Sequence, residues 1–295
     1  MMGFMPVYFY NKEENMGIVD EIKKNALETG TKIQSSEAAL LEKIFNNMFY
    51  LEKNIEEETK FVKQMMTRGQ ETQERIGLHA SAMIVSDNSF CIRQQVLSLL
   101  YKQLQGEQTS IGLKRIFEEG NAIHEKWQRL FIRAGYGKAT DMDFTRFCDE
   151  YELSFTPDAI VTVPEFNKEV GWDGPMVCEI KSVNTFQFKK MTSHPSGRKQ
   201  MQLYMHLTGI HKGFVLCDDK NTQDFKIFIE DYDPKIVAPF IERCEAVQFY
   251  KDRVINEHKM VKRCKGCNKY TCKTASSCAM KDACYNMGMG RVKLR

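Results

Sequence analysis

The segment Met176–Ser182 constrains this 295-residue chain more than any other. It is an apolar run that carries Glu179 and Lys181 and follows a turn at Gly171–Pro175. The flanking Met176, Val177 and Ile180 read as a buried strand. Residues i and i+2 of a strand share a face, so Glu179 and Lys181 stand side by side while Ile180 points into a core. A charged pair in such a place costs free energy unless a partner or a cation compensates. Pro157-Asp158 opens the preceding strand. Two carboxylates from adjacent strands, with a backbone carbonyl, make an oxygen site suited to Mg²⁺ or Mn²⁺. The bland alternative is a salt bridge on an edge strand, since E-x-K strings are common.

Two helical motifs flank this pair. Gly120-x-x-x-His124 lies in residues 113–134, where Ile116, Ile123, Trp127, Leu130 and Phe131 form one apolar face and Gly135–Gly137 ends the helix. Gln200-x-x-x-Tyr204 lies in a helix over 198–208, and positions i and i+4 let both side chains reach one groove. Taken singly, His124 reads as a satisfied helix histidine and Gln200 with Tyr204 as an amphipathic edge.

Short strands are expected at 144–148, 151–155, 158–163, 213–217 and 225–230, with a last long helix over 234–258. The order of helices, strands, helix, strands, helix predicts an α/β core with helical additions. Near the N-terminus, Ser35 or Ser36 caps a helical pattern through Leu41, Ile44, Met48, Leu51, Ile55, Val62 and Met65, broken at Glu58. That rhythm predicts one long helix. It either packs on its own body or forms a coiled coil for self-association or a protein partner. A further helix follows Asp87 and Asn88, with Cys91 near its start.

In their order, the strings GNAIH (120–124), PDAIV (157–161), CEIKS (178–182) and QMQLY (200–204) resemble the RecB-like branch of the PD-(D/E)XK nucleases, which includes the RecB and AddB nuclease domains and the CRISPR-adaptation exonucleases. The resemblance covers about residues 78–284. It implies a restriction-endonuclease-like core, a central mixed sheet flanked by helices. It also implies that His124, Asp158 and Glu179 bind Mg²⁺ or Mn²⁺, that Lys181 is the catalytic lysine, and that Gln200 and Tyr204 position DNA. The expected division is a helical extension over 1–77, a nuclease core over 78–260 and a basic Cys-rich tail over 261–295. The expected activity is a DNA exonuclease on single strands or ends, in recombination or repair. The rivals are a structure-specific endonuclease on the same core and an inactive DNA- or partner-binding module.

The same branch often carries an iron–sulfur cluster, with one Cys ahead of the nuclease motifs and three after them. Cys91 matches the first position. The tail offers Cys264, Cys267, Cys272, Cys278 and Cys284, whose spacing departs from the usual C-x₂-C-x₅-C. Four of these six are expected to hold a [4Fe–4S] cluster, or a structural Zn²⁺ in its place. Either would clasp the last segment against the body. Cys148, Cys178, Cys217 and Cys244 read as small packed hydrophobes.

Net charge is +3, unevenly spread. Residues 251–295 hold 12 Lys or Arg against three acids, a surplus of nine that suits a polyanion such as DNA, or a solvated surface. No run is apolar enough to span a bilayer. The first residues lack the pattern of a secretory signal, so a cytoplasmic protein is expected, in a host's cytoplasm if the chain is viral.

Overall fold

The computed structural model describes residues 35–50, 54–68, 77–100, 110–259, 261–263, 267, 269, 275, 278 and 280–285. In chain order the helices are α1 (Ser36–Asn47), α2 (Ile55–Arg68), α3 (Ala80–Met83), α4 (Ile92–Leu100), α5 (Ile111–Arg133), α6 (Pro164–Val170), α7 (Thr185–Lys190), α8 (Pro195–Thr208), α9 (Pro234–Glu257) and α10 (Lys281–Tyr285). The strands are β1 (Leu78–His79), β2 (Arg146–Cys148), β3 (Leu153–Phe155), β4 (Ala159–Val161), β5 (Met176–Val183), β6 (Lys212–Asp219) and β7 (Phe225–Asp231).

The chain is a mixed α/β protein with two mixed sheets. The larger has the order β4-β5-β6-β7, with β5 and β6 parallel and the outer pairs antiparallel. The smaller, β1-β3-β2, takes the strands near 146 and 155 out of the main sheet.

Both faces of the larger sheet are buried, and the period-2 alternation of β5 and β6 sorts their side chains between two cores. Cys178, Ile180, Phe214 and Leu216 pack with Trp127 and Phe131 of α5 and with Leu41 and Phe45 of α1. Val177, Val183, Val215 and Cys217 pack on the opposite side with Met201, Tyr204 and Met205 of α8 and with Val237 and Phe240 of α9. Burial on both faces explains why β6 is buried along its whole length, where a half-exposed strand would alternate. Of the four scattered cysteines, Cys178, Cys217 and Cys244 are buried and Cys148 is half-buried.

The expected single N-terminal helix is two. The α-helical path ends at Asn47, a 3₁₀ turn follows at Met48–Tyr50, and α2 begins at Ile55. On either side of this break, Phe45 and Phe61 enter one core with Trp127 and Phe131. Glu58, which interrupts the heptad rhythm, accepts hydrogen bonds from Arg129 Nε at 2.7 Å and from Arg133 Nε at 2.8 Å. Glu42 of α1 accepts from the backbone N–H of Ile227 at 2.9 Å, which occupies a donor on the edge strand β7. Leu51 lies outside the described residues.

Helix α6 was not expected. Pro164 at its first turn and Gly171 in the left-handed region at its end delimit it. Helix α5 starts at Ile111, capped by the Ser110 side chain, which accepts from Leu113 N at 3.3 Å. Among the described residues, no helix is long and apolar enough to cross a membrane.

Candidate active site

The pairing of Ala159 with Cys178 across β4 and β5 brings Asp158, one residue before β4, beside Glu179. Asp158 accepts a hydrogen bond from Ile180 N at 2.7 Å through Oδ2, and its Oδ1 lies 3.2 Å from His124 Nδ1. Glu179 is fully buried. Its Oε1 pairs with the ammonium of Lys181, its neighbour on the same strand face, and its Oε2 has no partner. Lys181 Nζ also donates to Gln200 Oε1 at 3.4 Å, and Gln200 Nε2 donates to Tyr204 Oη at 2.9 Å. The six residues singled out from sequence therefore form two runs of contacts, His124–Asp158 and Glu179–Lys181–Gln200–Tyr204, joined through the Ile180 amide that follows Glu179.

The electrostatics follow from burial and from the two carboxylates. Burial, then the charge of Asp158, pushes the Glu179 carboxyl up to about 8. Burial also pushes on Asp158, but His124, Lys181 and the Ile180 amide outweigh it and leave its carboxyl below the usual range. Burial works against a charged His124 and a charged Lys181, yet the facing carboxylates hold both above their ordinary values. Tyr204, sealed beside Glu179, is pushed well up by burial.

Two further residues shape the site without having been singled out. Gln128, buried on the apolar face of α5, donates from Nε2 to the backbone carbonyl of Asp158 at 2.7 Å. Its signal in the sequence was a polar side chain four residues after His124, on the same helix face. Gly197 lies where α8 crosses β5 and β6. A Cβ there would stand 2.9 Å from Val215 Cγ1, 3.0 Å from His194 Nδ1 and 3.4 Å from Lys181 Cγ. The approach to Val215 is closer than a Cβ tolerates, so glycine lets α8 lie this close over β6. Gly120, by contrast, is not required by contact, since a Cβ there would meet only Ser182 Oγ, at 3.8 Å.

Among the described residues, no three His, Cys, Asp or Glu side chains are gathered closely enough to hold an ion as they stand. The donor set nevertheless fits a hard divalent cation in its chemistry. Asp158 and Glu179 present two neighbouring carboxylates, and Glu179 Oε2 is buried with no protein partner, which is costly unless a proton or a cation meets it.

A second group of side chains lies at the start of α4. Cys91, Cys267, Cys278 and Cys284 line one cavity of about 920 Å³ between the start of α4 and the segment after α9. Burial raises the Cys278 thiol, and Cys91, Cys284 and Cys267 add to the rise. Arg93 donates from Nε to Cys284 Sγ at 3.1 Å and from Nη2 to Cys284 O at 3.2 Å, and its Nη1 binds the carbonyl of Val261. Cys264 and Cys272 lie outside the described residues.

No family model matches the chain, and no curated protein matches it. Solved structures similar to it include the alkaline exonuclease LHK-Exo of Laribacter hongkongensis, in a complex with dAMP. The identity is 16% and the TM-score 0.44, over 62% of this chain and 91% of that one. A phage-related exonuclease from Haemophilus somnus 129PT is similar at 17% identity and a TM-score of 0.42, over 63% of this chain and 98% of that one. The chemistry argued below rests on the residues of this chain.

Proposed function

We propose that this chain is a divalent-metal-dependent deoxyribonuclease on a PD-(D/E)XK core, an exonuclease that works on single strands or DNA ends in recombination or repair. The observation that carries the reading is the buried Asp158–Glu179 pair with its unpartnered oxygen, flanked at contact distance by His124 and Lys181. His124, Asp158 and Glu179 would hold Mg²⁺ or Mn²⁺. When bound, such an ion polarises a phosphoryl oxygen and lowers the pKa of a water.

The chain's own groups do the rest. The Lys181 ammonium stands on the face that carries Glu179, where it offsets the charge that builds on a scissile phosphate. Gln200, held between Lys181 and Tyr204, fixes the direction of that ammonium. Gln128 fixes the backbone of Asp158. The nuclease core spans 78–260, the helical extension 1–77 and the basic tail 261–295. In this reading four of Cys91, Cys264, Cys267, Cys272, Cys278 and Cys284 hold an iron–sulfur cluster, with zinc as the other outcome of a metal analysis. The convergence of Cys91, Cys267, Cys278 and Cys284 on one cavity supports a structural role, tying the tail to α4.

The test is degradation of end-labelled single- and double-stranded DNA, and of circular DNA, with Mg²⁺ or Mn²⁺, by wild type and Lys181→Ala purified without air. Loss of label from ends by wild type alone supports the exonuclease. Cutting of circles would make it an endonuclease on the same core. Folded, metal-loaded wild type that binds DNA and cuts none of these would make it a binding module.

A further inference from the structure

Between Glu179 and Asp218 the chain holds no Asp or Glu and six Lys or Arg. This acid-free stretch contains α7, the start of α8 and a cleft of about 390 Å³ between them, lined by Phe186, Lys190, Ser193 and His194 among others. Phe188, on the same short helix, is buried, whereas Phe186 is 70% exposed. An exposed aromatic ring alone is ordinary on a protein surface. This one has Lys190 Nζ over its ring, 3.9 Å from the centroid, and exposed Lys189 beside it.

Two acids that touch the helices of this stretch are already engaged. Asp219 accepts from Thr185 Oγ1 at 2.9 Å and from Asn221 N at 3.0 Å, and Glu230 pairs with Arg198 at 2.6 Å. The cleft also adjoins the carboxylate site. His194, in its wall, and Lys181 stand 3.0 Å and 3.4 Å from the one point that a Cβ on Gly197 would occupy.

We infer that this cleft seats one base of a single-stranded DNA segment running past Lys181, with the base stacked on Phe186 and the adjacent phosphates met by Lys189 and Lys190. The inference rests on the nuclease reading and adds how the strand is gripped. Groups that bind single strands without reading sequence pair an aromatic platform with a cationic track, and each base offers a face to stack. In a duplex those faces are already stacked inside the helix, so the platform selects for an unpaired strand. Phosphate contacts by the two lysines make the grip salt-dependent.

The experiment measures anisotropy of a labelled single-stranded oligonucleotide and of the matching duplex, in EDTA and again with Ca²⁺, for wild type, Phe186→Ala and Phe186→Tyr. Phe186→Ala is expected to weaken single-strand binding about tenfold, the size of one base–aromatic stack, with duplex binding little changed. Phe186→Tyr should bind as wild type does. An abasic residue at one position should cost wild type the same factor and cost Phe186→Ala nothing. Wild-type binding that Phe186→Ala leaves unchanged, or weakens equally for single strand and duplex, overturns the inference alone. No binding by wild type overturns it together with the nuclease reading.

Discussion

The carboxylate site and the cysteine-lined cavity both gather residues far apart in sequence, but different forces hold them. Each carboxylate-site residue sits on or beside an element whose position its own packing fixes. The β4–β5 register places Asp158 against Glu179, and the buried faces of α5 and α8 bring in His124, Gln200 and Tyr204. The cavity has one wall in α4 and the residues leading into it, and its other described lining residues follow α9. Leu97, Met280 and Ala283 form a small separate cluster, and Arg93 adds hydrogen bonds to Val261 and Cys284. The first site is made by the fold; in the proposed reading the second would help to make the fold once a metal group is bound. Damage to the first should therefore appear in catalysis, and damage to the second in stability.

The largest effect expected is at Glu179. Replacement by Gln keeps the shape and removes a buried ionisable carboxyl, so cleavage should fall by about a thousandfold, about 4 kcal/mol of barrier. The melting temperature of the metal-free protein should stay level or rise, because a carboxyl pushed up to about 8 by burial and by Asp158 opposes folding when it is ionised. Cleavage rates and thermal melts on one preparation check both. A melting temperature that collapses along with activity would mean that the pair is a structural brace, and the contrast between the two sites would disappear.

Cys278→Ser tests the other side. The variant should lose the bound group, seen as loss of visible iron–sulfur absorption or of zinc. Stability should drop by about 3 kcal/mol, what a ligand present at several hundred times its Kd contributes. Limited proteolysis should then begin beyond residue 261 while the carboxylate site still cuts a short oligonucleotide in the cold. Equal protection of the tail in variant and wild type would show that Arg93 and the α4–α10 contact suffice without any bound group.

The same contrast explains what could be read from sequence. Glu179, Lys181 and Asp158 were legible because strand periodicity fixes which side chains share a face, and His124 with Gln200 and Tyr204 because helix periodicity does the same. Helix α9 ends within a residue of its expected end, since Asp233 and Pro234 mark its start. The N-terminal break at Met48–Tyr50 was hidden because the apolar rhythm continues across it, and only docking on α5 shows where the chain bends. Gln128 carried a signal in its spacing, but a lone buried amide has no meaning until the carbonyl it satisfies is known. Gly197 is explained by the approach of α8 to Val215 of β6, which no local pattern encodes. Spacing alone could not bring Cys91 to the tail cysteines, because closing α4 onto that segment is a matter of tertiary packing.

The smallest effect separates the N-terminal helices from the tail. Residues 36–68 are held by packing and by the Glu58 carboxylate between Arg129 and Arg133, with no thiol or metal donor involved. The bond from Arg133, then that from Arg129, keeps the Glu58 carboxyl at about 2, below the usual 4.5. Its contribution is therefore complete above about pH 4.5 and is lost as pH falls toward 2. Glu58→Gln should cost about 2 kcal/mol at neutral pH, discounted because both arginines are partly exposed. Urea unfolding of wild type and Glu58→Gln should show a gap that is full at pH 7 and narrows steadily below pH 4.5. A gap that stays constant with pH would mean that the charge is immaterial and that shape alone seats the helix. If the gap closes in acid while stripping the cysteine-bound group leaves it untouched, the two ends of the chain are fastened independently, one by charge and packing and the other by what the thiols hold.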